Sequence, residues 1–339
     1  MAYSKLTDVI VRDLWTNDFI DASPVLQNIL TSGLLVKDPK LDSVVNAADA
    51  GQSFELPFIA DPAYDEPSII DDSTNDIVPS SIGWQTMYAM LGLYAKSWKE
   101  SSIVQALSVN NPVQFIRDNY VAKYWAIDLM HRTMNTVAGV AADNIANDNS
   151  DLVLDVSNDD ANGTSTDVTL TMDHTIDAVG KVGDKQDEFG FVFMHSKVYG
   201  DLKKADLITT VVPSNGGMPI EYYGKYRVTV NDLLPVAQGT NKKLYTTVIA
   251  KNGALAYSTK TLPEEMGAVA LVKDELSGNG GGSSQFVTRR GLVVHPIGWS
   301  FDKSTVSGVS PTLAELENAL AWDRKFQQKN SKFVFIVTN

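Results

Sequence analysis

The chain has 339 residues, enough for about two lobes with a buried core, and its 44% hydrophobic and 20% charged residues are those of an ordinary globular protein. Its net charge of −13 argues against a direct grip on nucleic acid or on an anionic membrane, since both need clustered Lys and Arg. Cysteine is absent, which excludes disulfides and thiolate metal sites, and the sequence shows neither a signal peptide nor an apolar run near the ~18 residues of a membrane span.

The first hundred residues predict an arm followed by a protruding hairpin. Residues 1–45 mix short apolar groups with polar breaks, which is typical of an arm with brief helical turns. The segment SFELPFI at 53–59 alternates as a half-buried strand does. A long polar loop follows, and GWQTMYAMLGLYAKSWK at 83–99 predicts the return strand. Because a two-stranded ribbon is only marginally stable in water, we expect this hairpin to lean on another surface.

Aromatic side chains recur along both predicted strands of the hairpin. Exposed Trp and Tyr on a projecting ribbon are more typical of a protein interface than of a ligand pocket. The alternative is that these rings pack on the chain's own long helix. We predict an interface formed by Phe54, Phe58, Trp84, Tyr88, Tyr94 and Trp98.

A long amphipathic helix is the strongest local signal in the chain. Asn111 is a suitable N-cap, and Pro112 suits the first helical position. Apolar residues then recur at spacings of three and four up to Ile145, which predicts a helix about 50 Å long at 1.5 Å per residue. The predicted core face comprises Ile116, Tyr120, Tyr124, Ile127 and Met134.

The middle of the chain alternates helices with strands. Residues 173–183 predict a helix, and the stretch from Phe189 to Met194 is apolar on both faces, as in a strand inside a covered sheet. Strands resume in MPIEYYGKYRVTVNDLLP and KLYTTVIAKNGALAYS, where Asn252-Gly253 predicts a hairpin turn.

The last part of the chain completes an α+β order of elements. A further hairpin is predicted within residues 267–301. Next comes a helix over 310–326, capped by Ser310 with Pro311 at its first position, and then a closing strand at 332–339. Strands and helices in this order indicate the α+β class.

His195 and Ser196 are adjacent and invite a hydrolase hypothesis. Consecutive residues at a strand end project in different directions, so they rarely form a nucleophile–base pair, and the chain has no G-x-S-x-G motif. A helix N-cap already explains Ser196. The glycines of GNGGGSS at 278–284 lead into a strand rather than a helix, which predicts a hairpin tip and not a phosphate loop.

A loop after the long helix resembles a calcium loop in part. Asn158, Asp160, Asn162 and Gly163 match its first positions, but Thr169 stands where a bidentate Glu is needed. This excludes an EF-hand and leaves open whether any cation binds residues 155–167. The four histidines lack zinc-site spacing. We predict no catalytic, cofactor-binding or metal residue and no enzymatic activity.

Taken in order, these segments resemble the major capsid proteins of tailed bacteriophages, whose Hong Kong 97-like fold is shared with herpesviruses. LTDVIV resembles the entry to the N-terminal arm, and GQSFELPFIAD the ascending strand of the extended loop. AKSWKESSIVQALSVNNPVQFIRDNYVAKYWAIDLMHRTM is similar to the return of that loop and the spine helix. FVFMHSKVYGDLKKADLI and IEYYGKYRVTVNDLLP resemble the axial domain, and RRGLVVHPIGWSF and LENALAWDRKFQQKN the closing segment of one branch of the family.

The resemblance implies a division of the chain into named parts. These are an N-terminal arm (1–48), an extended loop (49–101), a peripheral domain with the spine helix (102–170), an axial domain (171–260), a second peripheral part (261–304) and a C-terminal helix and strand (305–339).

The resemblance also implies a function. The chain would self-assemble as hexamers and pentamers into an icosahedral shell around double-stranded DNA, as part of a virion assembled in the cytoplasm of a bacterial host. Further partners would be a portal protein and scaffold and decoration proteins, without a membrane or a cofactor. Lys96 and Lys99 lie near the loop's return, but no partner Asn is identifiable, so we predict no covalent cross-links. The alternatives are an encapsulin-like nanocompartment shell and a Ser/His hydrolase.

Overall fold

The computed structural model describes residues 33–47, 52–60, 83–103, 120–159, 166–213, 219–263 and 266–339, with scattered positions between 64 and 70. Within these residues, two large β-sheets and one long helix form most of the core, so the predicted α+β class is confirmed. Several predictions lie outside the described residues, namely the arm before residue 33, much of the hairpin loop, and the start of the long helix with Asn111, Pro112 and Ile116.

The described elements are numbered here in chain order. The α-helices are α1 (Pro39–Val45), α2 (Val121–Asn147), α3 (Met172–Gly180), α4 (Ser196–Lys204) and α5 (Leu313–Glu317). The strands are β1 (Leu35–Lys37), β2 (Ser53–Ile59), β3 (Trp84–Met90), β4 (Gly92–Ser101), β5 (Val153–Asp155), β6 (Phe189–Met194), β7 (Ile208–Val211), β8 (Ile220–Tyr223), β9 (Tyr226–Val230), β10 (Val236–Gln238), β11 (Lys243–Lys251), β12 (Leu255–Lys260), β13 (Val269–Asp274), β14 (Ser283–Pro296), β15 (Trp299–Phe301), β16 (Trp322–Arg324) and β17 (Phe333–Thr338).

The first sheet has five strands and is organised around the long strand β14. One edge of β14 pairs with β4, and the other edge pairs with β12 and then with β13. Strand β1 adds to β12 in parallel. The predicted hairpin within 267–301 is confirmed as β13 and β14, and the glycine-rich segment forms its tip.

The second sheet has eight strands, in the order β5-β17-β11-β6-β9-β8-β7, with β10 paired to β11. Strands β6 and β17 lie in its interior, because their side chains are apolar on both faces and can be covered on both sides. All six residues of β17 are buried, and Val192, Phe193 and Met194 of β6 are at most 1% exposed.

Helix α2 buries the predicted face only in part. Tyr120 is 52% exposed and Ile127 37% exposed, Tyr124 is half-buried, and Met134 is buried. The helix contacts β14 on one side and α5 with β16 on another, so its C-terminal half is enclosed almost all round. The buried side chains there include the polar residues Thr133, Thr136, Asp143 and Asn144, which an apolar pattern does not count.

The predicted hairpin exists, but its return strand is interrupted. β2 and β3 pair antiparallel, with Ile59 opposite Trp84 and Phe54 opposite Ala89. The chain then breaks at Leu91, whose N–H donates to the carbonyl of Gln52 (2.8 Å), and β4 joins the five-stranded sheet. Tyr94 and Trp98 therefore do not lie on the hairpin.

Two further predictions of local structure are wrong in part. Asn252-Gly253 forms a turn, but it joins β11 of one sheet to β12 of the other instead of closing a hairpin. The C-terminal helix is only Leu313–Glu317, and its N-cap is Thr312, which forms a capping box with Glu315. The helix ends early because the chain turns extended at Asn318 and carries Trp322 into the core.

The hydrophobic core has a main cluster and a smaller one at the root of the hairpin. The main cluster joins both sheets and α2. The smaller cluster consists of Leu41, Val45, Phe54, Ala89, Leu91, Ala256 and Val293. No described helix combines the length and apolarity needed to cross a bilayer.

Candidate inter-subunit interface

The hairpin is anchored to its own chain at one end. Phe54 is only 4% exposed and lies in the small cluster with Leu41 and Val45 of α1. Phe58 packs edge-on against Phe326, with ring centroids 5.1 Å apart. Both residues were predicted as interface residues, and in this chain both are engaged with its own core or C-terminal segment.

The other end of the hairpin presents apolar side chains to solvent. Trp84 is 71% exposed, and Ile59 opposite it is 56% exposed. Tyr88 is 40% exposed, while its backbone N–H donates to the Ser300 hydroxyl (3.1 Å). Ile59 was absent from the predicted set, although it is the last residue of the alternating SFELPFI segment. Ile59, Trp84 and Tyr88 are called the hairpin patch below.

Two grooves separate the hairpin from the body of the molecule. One groove, of about 360 Å³, lies between Phe58, Ile59 and Gln85 of the hairpin and Lys325 and Phe326 of the C-terminal segment. The other, of about 500 Å³, is lined by Thr86, Tyr88, Phe301, Leu320 and other residues. Leu320 is 68% exposed, so apolar surface continues from the hairpin patch onto the body.

Tyr94 and Trp98 pack on the chain's own helix, which is the alternative that the sequence left open. The Trp98 ring meets Tyr120 and Tyr124 edge-on, with centroids 6.0 and 5.6 Å apart. The guanidinium of Arg132 lies 3.3 Å from the centre of the Tyr94 ring, and the Tyr94 hydroxyl donates to the Pro311 carbonyl (3.1 Å). Burial raises the pKa of Tyr94 to about 12, so this ring stays neutral.

The end of α2 is held by buried polar contacts. Trp299 donates its indole N–H to Asp143 (3.2 Å), and burial raises the pKa of Asp143 to about 6. Nearby, Arg324 of β16 bridges Asp148 (3.3 Å) and Asp151 (2.7 Å). These contacts fix the β15–β16 pair against the helix and so position the floor of the second groove.

His195 and Ser196 lie beside Asp232, whose carboxylate is 3.7 Å from the Nε2 of His195. The N-cap of α4 is His195 and not the predicted Ser196. The Nδ1 of His195 accepts the Lys197 backbone N–H (3.1 Å). The Ser196 hydroxyl is 3.5 Å from the same nitrogen, whose lone pair is already engaged. The Ser196 backbone N–H donates to Asp232 (3.0 Å), and hydrogen bonds from Ser196 hold the pKa of the Asp232 carboxyl below its ordinary value. The arrangement caps a helix.

The remaining motifs hold no ligand cluster in the described part of the chain. At the tip of the β13–β14 hairpin, Gly278, Asn279 and Gly280 adopt the left-handed conformation that a tight turn requires. In the calcium-like loop, the Asn158 amide donates to the Thr166 hydroxyl (2.8 Å), and Asp160, Asn162 and Gly163 lie outside the described residues. No group of three or more His, Asp or Glu residues within the described ranges could hold a metal ion.

Comparisons with known proteins give consistent results. No family model matches the chain. It is 31% identical over 338 residues to the major capsid protein of Bacillus phage SPP1, a match that spans 98% of both chains.

Solved structures show the same fold at low sequence identity. The capsid of Ralstonia phage GP4 superposes with a TM-score of 0.60 at 9% identity, over 100% of this chain and 98% of that one. The capsid of cyanophage Pam1 gives a TM-score of 0.55 at 8% identity, over 99% and 98% of the two chains. A chain of Microbacterium phage Oxtober96 gives 0.52 at 11% identity, over 98% and 96%.

Proposed function

The chain belongs to the major capsid proteins of tailed bacteriophages, and on this premise we propose that its copies assemble as hexamers and pentamers into an icosahedral shell around double-stranded DNA. The single observation that carries the proposal is the 31% identity over 98% of both chains. The fold agrees with the role, and the family points to a structural rather than an enzymatic protein.

We assign the contact between copies to the hairpin patch. Ile59 and Trp84 are largely exposed at the far end of a ribbon whose root is buried, so their apolar surface is free to meet another molecule. Exposed aromatic residues of this kind are enriched at protein interfaces. Each copy then uses several modest contacts, which add up in a closed shell.

The division into parts remains a proposal with the boundaries given above: arm 1–48, extended loop 49–101, peripheral domain 102–170 and 261–304, axial domain 171–260, and C-terminal segment 305–339. The ribbon ends at Leu91, inside the proposed extended loop, and the two sheets separate at the Asn252-Gly253 turn, inside the proposed axial domain. Within the proposed arm, β1 and α1 pack on β12 of the same chain.

The proposed partners follow from the same role. An acidic wall with a net charge of −13 repels DNA phosphates, so the enclosed DNA is held without sequence-specific contacts. A portal protein, together with scaffold and decoration proteins, would complete a head assembled in the bacterial cytoplasm.

Neither alternative function gains support from these findings. The relatives reported above are phage proteins, whereas an encapsulin-like shell would enclose an enzyme. The hydrolase hypothesis needs a free histidine nitrogen beside Ser196, and that nitrogen accepts the Lys197 N–H.

Negative-stain electron microscopy of the expressed chain, followed by nucleic-acid and protein analysis of the particles, tests the proposal. We expect uniform closed shells that contain no cargo enzyme. Ser196→Ala is the control for the hydrolase alternative. We expect this variant to form shells as the wild type does. A chain that stays monomeric under all assembly conditions, or particles that hold a cargo protein, would contradict the proposal.

A further inference from the structure

Strand β13 is an edge of the five-stranded sheet. It pairs with β14 from Val269 opposite Thr288 to Asp274 opposite Ser283. Its other edge has no partner strand in the described part of the chain. A free edge exposes backbone N–H and C=O groups that can pair with a strand of another molecule.

The side chains of β13 suit a strand inside a sheet more than a free edge. Val269 and Leu271 point to one face and Val272 to the other, and they are 56%, 51% and 53% exposed. A short strand that is apolar on both faces is typical of a sheet interior.

Three other edges in the described part are protected in ways that β13 is not. β2 carries Pro57, which cannot donate to a ladder. β7 has only four residues, and two of them are threonines. At β4, the N–H and C=O of Leu93 are both engaged by the Ser310 hydroxyl, at 2.8 and 3.1 Å. Natural sheets usually blunt their edges in such ways or with charged side chains, whereas β13 contains no proline and carries its charged residues, Lys273 and Asp274, only at its end.

We propose that β13 pairs antiparallel with β13 of a second copy across a twofold axis. When the twofold axis is perpendicular to the sheet, the same face of the sheet continues from one copy into the other. Residues that oppose each other across the axis must therefore point to the same face. With the axis at Leu271, Leu271 faces its own copy, Ala270 faces Val272, and Val269 faces Lys273. This inference rests on the proposed shell, because it names one contact between subunits, and a self-complementary contact of this kind is isologous.

Charges at the two ends of β13 favour this antiparallel register. The segment just before β13 is held by Arg289. The Arg289 backbone N–H donates to the Ala268 carbonyl (2.8 Å), and its guanidinium donates to the Gly267 carbonyl (3.1 Å). The other end carries Asp274 and then Glu275. The pairing sets Asp274 of one copy opposite Ala268 of the other, so an acidic end lies beside Arg289.

Cysteine cross-linking tests the register, since the chain has no cysteine of its own. Opposed residues in an antiparallel pair have Cα atoms about 4.5–5.5 Å apart, within the range of a disulfide. Assembled particles of Leu271→Cys, after mild oxidation, should give a dimer on non-reducing electrophoresis. Ala270→Cys and Val272→Cys are the matched controls, because each lies diagonally from its own copy, at over about 7 Å, and should stay mostly monomeric.

The outcomes separate this inference from the proposed function. No dimer from Leu271→Cys, or equal dimer from all three variants, would overturn the β13 pairing while leaving the shell intact. If Leu271→Cys does not assemble, the double variant Val269→Cys with Lys273→Cys takes its place, and absence of its dimer also overturns the pairing. A wild-type chain that forms no particles would instead count against the proposed function.

Discussion

Two tryptophans of the predicted interface occupy opposite environments. Trp84 stands 71% exposed at the end of the ribbon, whereas Trp98 is packed among Tyr120, Tyr124 and Phe286 of its own chain. The two side chains are alike in size and chemistry. Removing each in turn therefore separates a contact between copies from a contact within one copy.

Trp84→Ala should leave the monomer as stable as the wild type, within about 0.5 kcal/mol, because the lost side chain touches mostly water. It should nevertheless reduce the yield of shells. Trp98→Ala should lower the free energy of unfolding by about 2–4 kcal/mol, since it removes a packed ring. Urea unfolding and electron microscopy measure the two effects, and normal assembly of Trp84→Ala would remove this residue from the interface.

His295 is a buried histidine whose two ring nitrogens have no hydrogen-bond partner among the residues that the structure describes. It is 2% exposed and lies on β14, opposite Ala256 of β12. Val293 lies two residues away, on the same face of the strand and within the small cluster at the hairpin root. Burial lowers the pKa of His295 to about 4, which keeps the ring neutral at physiological pH.

The pH dependence of stability follows from this pKa. Between pH 6.5 and pH 4, His295 binds a proton in the unfolded chain but not in the folded chain. The free energy of unfolding therefore falls as the pH falls. The loss amounts to about 3 kcal/mol over this range. His295→Leu should abolish this contribution, and urea titrations of both proteins at several pH values measure it.

Wild type must be compared with His295→Leu because Asp143 changes the free energy of unfolding with pH in the opposite direction to His295. Its raised pKa, about 6, makes the folded chain gain a proton first, which adds stability as the pH falls from above 6 towards 4. The wild-type curve alone therefore conceals the effect of His295. Equal pH slopes for wild type and His295→Leu would contradict the prediction.

At the scale of elements, the C-terminal segment crosses α2 at a single glycine. A Cβ atom at Gly139 would lie 2.1 Å from the Leu316 carbonyl oxygen and 2.5 Å from the Trp322 indole nitrogen. The same indole donates to the Leu316 carbonyl (2.8 Å). Gly139 therefore serves close packing of α5 and β16 on the helix.

Gly139→Ala should destabilise the fold by about 2 kcal/mol or more, because backbone has to move to admit the methyl group. Gly180→Ala is the matched control, since Gly180 ends helix α3 and a Cβ there meets nothing within 4 Å. Alanine at that position should be neutral or stabilising by up to about 1 kcal/mol. Thermal unfolding of both variants tests this prediction. Equal stability of Gly139→Ala and Gly180→Ala would show that the C-terminal segment moves to admit the methyl group without cost.

Local patterns in the sequence were sufficient for several elements. Alternation predicted β2, the apolar run predicted β6, and spacing of three and four predicted α2. The break at Leu91 could not be predicted, because periodicity does not show which sheet a strand joins. The same limit explains Asn252-Gly253, whose flanking strands belong to different sheets.

The candidate interface was predictable only in part. Exposed aromatic residues at the ribbon end follow from the sequence, but the burial of Phe54 and the packing of Trp98 depend on α1 and α2, which are distant along the chain. His195 was missed as a cap because serine is the commoner capping residue. The buried face of α2 depends on the C-terminal segment, which no local pattern reveals.

At the scale of the whole molecule, we expect the shell to be held by non-covalent contacts. Lys99 and Lys96 lie on β4 within the five-stranded sheet, and the Lys96 ammonium sits 5.3 Å from the centre of the Tyr124 ring. Purified particles boiled in detergent and reductant should give one band at 36.9 kDa. A ladder of heavier bands that resists this treatment would show covalent linkage between copies.

The joint at Asn252-Gly253 bears on how such a wall carries load. Only three residues connect β11 to β12, about 10 Å of chain at full stretch. The Gly253 N–H is tied to Gly33 (2.9 Å), and the Lys332 ammonium is tied to the Gly253 carbonyl (3.0 Å). Because this connection is short and anchored, it cannot extend much when a force separates the two sheets. The force is therefore transmitted directly from one sheet to the other.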